Sequence, residues 1–213
     1  MVMIRTALRL LCQEAALPAL VLKRMNDLLV RDTDPDVFAT MIYGILDTQA
    51  STFTYSNGGH CYPLHRKNAA PPAAAHGPCY TNDGEKTQLE DFKNTRVSHK
   101  RTTIDFLKTG GMLVGAFDDA EFASETCFLE PGDILLFYTD GLTETEAQDS
   151  SQPTEATSEP MLYGEERLVA CLSENATLTA KALCQTVVSD LALFSGSTHS
   201  NDDRALVVIR RET

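Results

Sequence analysis

Three aspartates carry the chemistry that this sequence could do. Asp140 closes the apolar run of ILLFYTDG, and Asp202 and Asp203 stand immediately before a second apolar run, RALVVIRR. A carboxylate at the mouth of a buried strand is held by rigid backbone and still reaches solvent. Hard divalent cations such as Mg²⁺ and Mn²⁺ take oxygen ligands, so converging aspartates are what such an ion requires. A cation held there polarises a phosphoryl oxygen and lowers the pKa of a bound water toward neutrality. The same residues also have a plain structural use. Asp-Gly after a strand is a common turn and Asp-Asp before one is a common cap, and spacing does not choose between the readings.

Two weaker candidates accompany them. His60, in NGGHCYPL, follows a turn signal and is either a site residue or a structural one. Gly110-Gly111, in KTGGMLVG, either lets backbone approach a ligand closely or makes a turn. The sequence has no G-x-x-x-x-G-K-[ST] phosphate loop, no G-x-S-x-G and no H-E-x-x-H. The six cysteines, at 12, 61, 79, 127, 171 and 184, form no C-x-x-C and no zinc-ligand spacing, which suits reduced thiols in a cytoplasmic protein.

Composition narrows the function classes. With 18 Lys+Arg against 30 Asp+Glu, the formal net charge is −12, and there is no basic run. A nucleic-acid binder or an anionic-membrane binder would lack the cationic face it needs. The same deficit argues against a metal-dependent nuclease, the other use of paired aspartates on phosphate esters. No stretch approaches the ~20 apolar residues of a membrane span, and Arg5, Arg9 and Glu14 interrupt the N-terminal apolar segment as no signal peptide would allow.

The elements that must position these residues follow from periodicity. Ile4, Leu8, Leu11 and Ala15 predict a helix over 3–16, and Pro18 opens a second that ends near Val30. Residues 38–47 and the run STFTYSNGGH (51–60), whose strand ends at Asn57-Gly58-Gly59, read as a hairpin, 134–141 as a deeply buried strand, 162–172 and 178–194 as helices, and 204–211 as a closing strand. Residues 66–102 and 147–160, rich in Pro, Ala, Ser and charge, read as flexible insertions in a single domain spanning 1–213. Strands and helices in separate blocks predict an α+β layered fold.

Taken in order, FATMIYGILD, TFTYSNGGHCYPL, LKTGGMLVGAF, LEPGDILLFYTDGLTE, LYGEERL and SNDDRALVVIRR resemble the bacterial SpoIIE-like, PPM-type metal-dependent serine/threonine protein phosphatases. The resemblance covers nearly the whole chain outside the two insertions. It implies two antiparallel sheets packed as a sandwich, with helices outside. It also implies in-line attack by a metal-bound water on phosphoserine or phosphothreonine, with two Mn²⁺ or Mg²⁺ ions and no covalent phosphoenzyme. Asp140 matches the ligand of the family's T-D-G motif, Asp202 the first aspartate of its D-D motif, and Asp203 its neighbour. The implied substrates are phosphorylated STAS-type anti-sigma-factor antagonists.

One departure follows from the same resemblance. The family's Gly-Asp motif, whose Asp bridges both metals, lies on a strand before the first long helix. This sequence begins inside what corresponds to that helix. The expectation is therefore a missing bridging carboxylate, a weakened second metal site, and lost N-terminal strands. The strand edges so exposed would be left for another chain to cover, a second copy in a homodimer among the candidates. A working phosphatase and a non-catalytic module that binds a phosphoprotein or regulator are the two readings this leaves.

Overall fold

A computed structural model describes residues 2–14, 17–34, 36–68, 103–148, 160–196 and 203–212. Two helices come first, α1 (Val2–Glu14) and α2 (Pro18–Asp32). The strands β1 (Met41–Asp47), β2 (Thr52–Gly58), β3 (Leu64–Lys67), β4 (Thr103–Phe106), β5 (Gly110–Gly111), β6 (Glu125–Phe128) and β7 (Ile134–Tyr138) follow. The one-turn helix α3 (Asp140–Thr143), then α4 (Gly164–Glu174), α5 (Ala180–Ser195) and β8 (Leu206–Arg210) complete the described elements.

Local chemistry sets several boundaries as the sequence predicts. Pro18 occupies the first turn of α2, where its missing N–H costs nothing. Asp47 Oδ1 accepts the amides of Gln49 and Ala50 at 2.9 and 2.8 Å and so shapes the β1–β2 turn. Thr179 caps α5 by accepting from Ala182 N, and Gly196, at φ 62°, ends it in the left-handed region. Other boundaries move. β1 starts at Met41 and not at 38, and β3 keeps Arg66 and Lys67, which the sequence reading assigned to an insertion. The rest of that insertion, and most of 147–160, lie outside the described residues.

The strands form two sheets. In one, β2 pairs antiparallel with β1 along its whole length, and its other edge takes β6 and β5. The second has the order β4-β3-β7-β8, antiparallel throughout. The two-residue β2–β5 pair is parallel within an otherwise antiparallel sheet. Gly110 permits the close approach. A Cβ there would sit 1.9 Å from the carbonyl oxygen of Asn57, so only a glycine lets this segment run against β2. The close approach offered by the glycine pair is thus made to a strand.

Four layers result. Phe53, Tyr55, Leu129 and Leu135, with Phe137 and Ile209 beside them, fill the space between the sheets. Leu22, Met25, Leu29 and Val114 seal α1 and α2 onto the outer face of the β1–β2 sheet. Leu64, Ile134, Leu136, Leu168, Leu172, Leu183 and Val187 join α4 and α5 to the outer face of the other. Strand β7 is covered on both faces, which explains its nearly unbroken apolar run. Among the described residues, no helix is long and apolar enough to cross a membrane.

Among the described residues, one side of the sandwich is open. Among the described residues, β1 and β8 each have a partner on one edge alone. Between them runs an apolar cleft of about 360 Å³, lined by Ile42, Gly44, Phe53, Phe137 and Val207. Val207 lies opposite Phe137, whose ring meets Phe53 between the sheets, yet Val207 is 53% exposed. Neither MIYGILD nor LVVIR carries the proline or inward charge that usually blunts an edge. Val207→Lys should therefore reduce concentration-dependent association, read by light scattering, while the melting temperature stays nearly unchanged. An unaltered scattering profile would show that this edge takes no part in association.

Candidate active site

The candidate site lies where the C-terminal end of β7 meets the N-terminal end of β8. Their ladder ends at the pair Tyr138–Leu206. Beyond it, Thr139 N donates to Ala205 O at 3.2 Å, and Ala205 N donates back to Thr139 Oγ1 at 2.9 Å. The Thr139 hydroxyl also donates to Asp203 O at 3.2 Å. Asp140 and Asp203, distant in sequence, are thus carried on segments stitched to each other. Asp202 lies outside the described residues.

Asp140 does not continue the strand, as the sequence reading had it, but opens α3. Its main-chain oxygen accepts from Glu144 N at 2.8 Å and from the Thr143 hydroxyl at 3.1 Å. A carboxylate in a first helical turn is electrostatically favoured, so the turn and the aspartate suit each other. The side chain is exposed, and Oδ1 accepts the Gly141 amide at 2.9 Å. The second oxygen, Oδ2, makes no hydrogen bond among the described residues. Arg204 adds a further tie, its Nε donating to Gly141 O at 3.2 Å.

His60 borders the same corner and lines the apolar cleft beside Tyr138 and Thr139. Its backbone is clasped by buried Asn57, which donates Nδ2–H to His60 O at 2.9 Å and accepts His60 N–H on Oδ1 at 2.7 Å. Burial lowers the His60 pKa below its ordinary value, against the opposing pull of Asp140 and of the Tyr138 main chain. The imidazole is therefore neutral at pH 7. Burial, and then the charge of Asp140, pushes the Cys61 thiol up, so it stays protonated. On the far side of His60 opens a polar cavity of about 390 Å³, lined by Asn57, Lys108, Gly110, Gly111 and Glu165 among others. Glu165 accepts the Tyr138 hydroxyl at 2.8 Å.

The donors present are carboxylates, with no thiolate, which fits a hard cation and not a soft one. Among the described residues, no three His, Cys, Asp or Glu side chains gather closely enough to hold a metal by themselves. The sequence reading missed the clasp by Asn57 and the stitch by Thr139. Both residues stood inside the quoted motifs, but their partners are main-chain groups that no pattern reveals.

Comparison with known proteins agrees with this architecture. Residues 1–79 and 94–212 match the family model described as Stage II sporulation protein E. The chain is 22% identical over 212 residues to the phosphoserine phosphatase RsbU of Bacillus subtilis, covering all of this chain and half of that protein. It is 23% identical over 177 residues to protein IcfG of Synechocystis, covering 83% of this chain and 21% of that one. The chain thus spans half or less of the length of these curated relatives. Among solved structures, the SiaA PP2C domain of Pseudomonas aeruginosa superposes with a TM-score of 0.65 at 16% identity, over 98% of this chain and 68% of that one. The RsbU and RsbW domains of Rv1364c from Mycobacterium tuberculosis give 0.59 at 23% identity, over 99% and 46%. Two sheets with flanking helices in this arrangement are the PP2C-like α+β fold. With the family model matched over nearly the whole chain, the protein belongs to the SpoIIE family of protein phosphatase domains.

Proposed function

We propose that this chain is a metal-dependent protein serine/threonine phosphatase domain acting on a phosphorylated STAS-type anti-sigma-factor antagonist in the cytoplasm. Asp140, Asp202 and Asp203 would hold Mn²⁺ or Mg²⁺. The observation that supports this most is the stitching of the Asp140 turn to the Asp203 segment, which brings hard oxygen donors to one corner. A bound divalent cation would supply charge neutralisation at the phosphoryl oxygens and an acidified water. The chain's own part is to orient the donors. Thr139 and Arg204 hold the two segments, α3 presents Asp140 to solvent, and Asn57 fixes the backbone at His60. Neutral His60 adds no fixed charge beside the carboxylates.

The test is Mn²⁺-dependent release of phosphate from a phosphorylated STAS protein, repeated with Asp140→Asn. Loss of a metal ligand forfeits several kcal/mol of transition-state stabilisation, so turnover should fall by about a hundredfold or more. Equal turnover in the variant would remove Asp140 from the mechanism. Phosphoprotein binding with no turnover in the unaltered chain would favour the non-catalytic module instead.

A further inference from the structure

We infer that Thr139 is a positioning residue whose hydroxyl sets the separation of the Asp140 and Asp203 carboxylates. A threonine just before a helix ordinarily spends its side-chain oxygen on an amide of the first turn. Thr139 has the extended backbone of that position, φ −95° and ψ 157°, but its side chain makes no such bond to α3. The hydroxyl instead reaches across to the other segment, where it accepts from Ala205 N and donates to Asp203 O.

Ala205 is the first residue past the last ladder pair and Asp203 lies two residues beyond it, where an antiparallel pair of strands would otherwise fray. The hydroxyl satisfies a donor on one side of Arg204 and an acceptor on the other, so it fixes the backbone that flanks that residue. Arg204 then closes the second side of the clamp through Gly141 O. Asp140 follows Thr139 directly, and Asp203 carries the carbonyl that Thr139 holds. The backbones that carry the two carboxylates are therefore tied to each other by a side chain that itself offers no ligand. Groups that orient ligands without binding the ion typically change metal affinity by about 10- to 100-fold when removed.

The metal half of this inference rests on the phosphatase reading, while the hydrogen-bond half does not. Thr139→Val keeps the shape and deletes both hydroxyl bonds, Thr139→Ser keeps the bonds, and Thr139→Ala repeats the deletion should the valine variant fail to fold. Amide exchange of the metal-free protein is measured first. Ala205 N–H should exchange at least about tenfold faster in the valine variant and at the original rate in the serine variant. Mn²⁺ titration by calorimetry follows, with affinity lowered about 10- to 100-fold by valine and restored by serine. Unchanged exchange at Ala205 would overturn the tie itself. Faster exchange with unchanged Mn²⁺ affinity would reduce Thr139 to a structural role. If the unaltered chain binds no Mn²⁺ at all, the phosphatase reading falls, and the positioning role falls with it even where the exchange result holds.

Discussion

Asp133→Asn should lower the free energy of unfolding by about 3 kcal/mol, because it weakens three hydrogen bonds to a buried carboxylate and leaves a buried donor without its acceptor. Asp133 and His65 are 2% and 1% exposed and meet at 2.9 Å, His65 Nε2 donating to Asp133 Oδ2. The same carboxylate accepts Asn68 N at 2.6 Å and Glu130 N at 3.0 Å. One side chain therefore ties β3 and the residue after it to the turn before β7. Asparagine of equal size leaves one acceptor where there were two and sets an amide N–H₂ against a donor. Urea denaturation at pH 7 measures the effect, and a loss below about 1 kcal/mol would show the pair to be replaceable.

The same pair gives a pH dependence of definite sign. Burial alone pushes the Asp133 carboxyl up, but the His65 bond and the amides of Asn68 and Glu130 outweigh it, and the pKa ends below the ordinary carboxylate value. A depressed carboxyl contributes stability that is present above its unfolded pKa of roughly 3.9 and is lost as pH falls through its folded value. The unaltered protein should thus weaken across that acidic window by an amount that Asp133→Asn lacks. Parallel acid limbs for the two proteins would contradict this origin.

Gly110→Ala should detach β5 from β2, at about 3 kcal/mol, the upper end of the usual overpacking cost. The added Cβ would lie 1.9 Å from Asn57 O and 2.6 Å from its carbonyl carbon. These are backbone atoms of a strand paired on its opposite edge with β1, so neither rotates away. The segment 107–111 must move instead, and with it Lys108 and one wall of the polar cavity beside His60. Thermal melting checks the stability change. Faster amide exchange at Asn57, whose N–H donates to Thr109 O, would localise it. A variant that melts with the unaltered chain would show that β5 has room to yield.

Much of the layering was legible because burial leaves a periodicity. ILLFY is apolar on both faces since helices cover one side of β7 and a second sheet the other. Pro18 marked a boundary for reasons of backbone geometry alone. Strand partners were less legible, because alternation assigns a face and not a neighbour. Thr139 and Asp203 are 64 residues apart, and only the β7–β8 pairing makes them adjacent. His65 and Asp133 were missed for a related reason. A histidine in a short strand and an aspartate in a Pro-Gly turn each satisfy a local rule, and their buried contact exists only once two strands meet. The Asn57 clasp was hidden behind an Asn-Gly-Gly sequence that reads equally well as an ordinary turn.

Among the described residues, the unpaired edges of β1 and β8 set a practical limit on the chain. Within that described part, two rows of peptide groups seek hydrogen bonds, with an oily trough between them. Encounters that zip such rims together need no prior unfolding, so storage lifetime at high concentration should track dilution more closely than it tracks heat resistance. Mutations that deepen the hydrophobic interior would then leave precipitation largely untouched, while a single charge on the rim would change it.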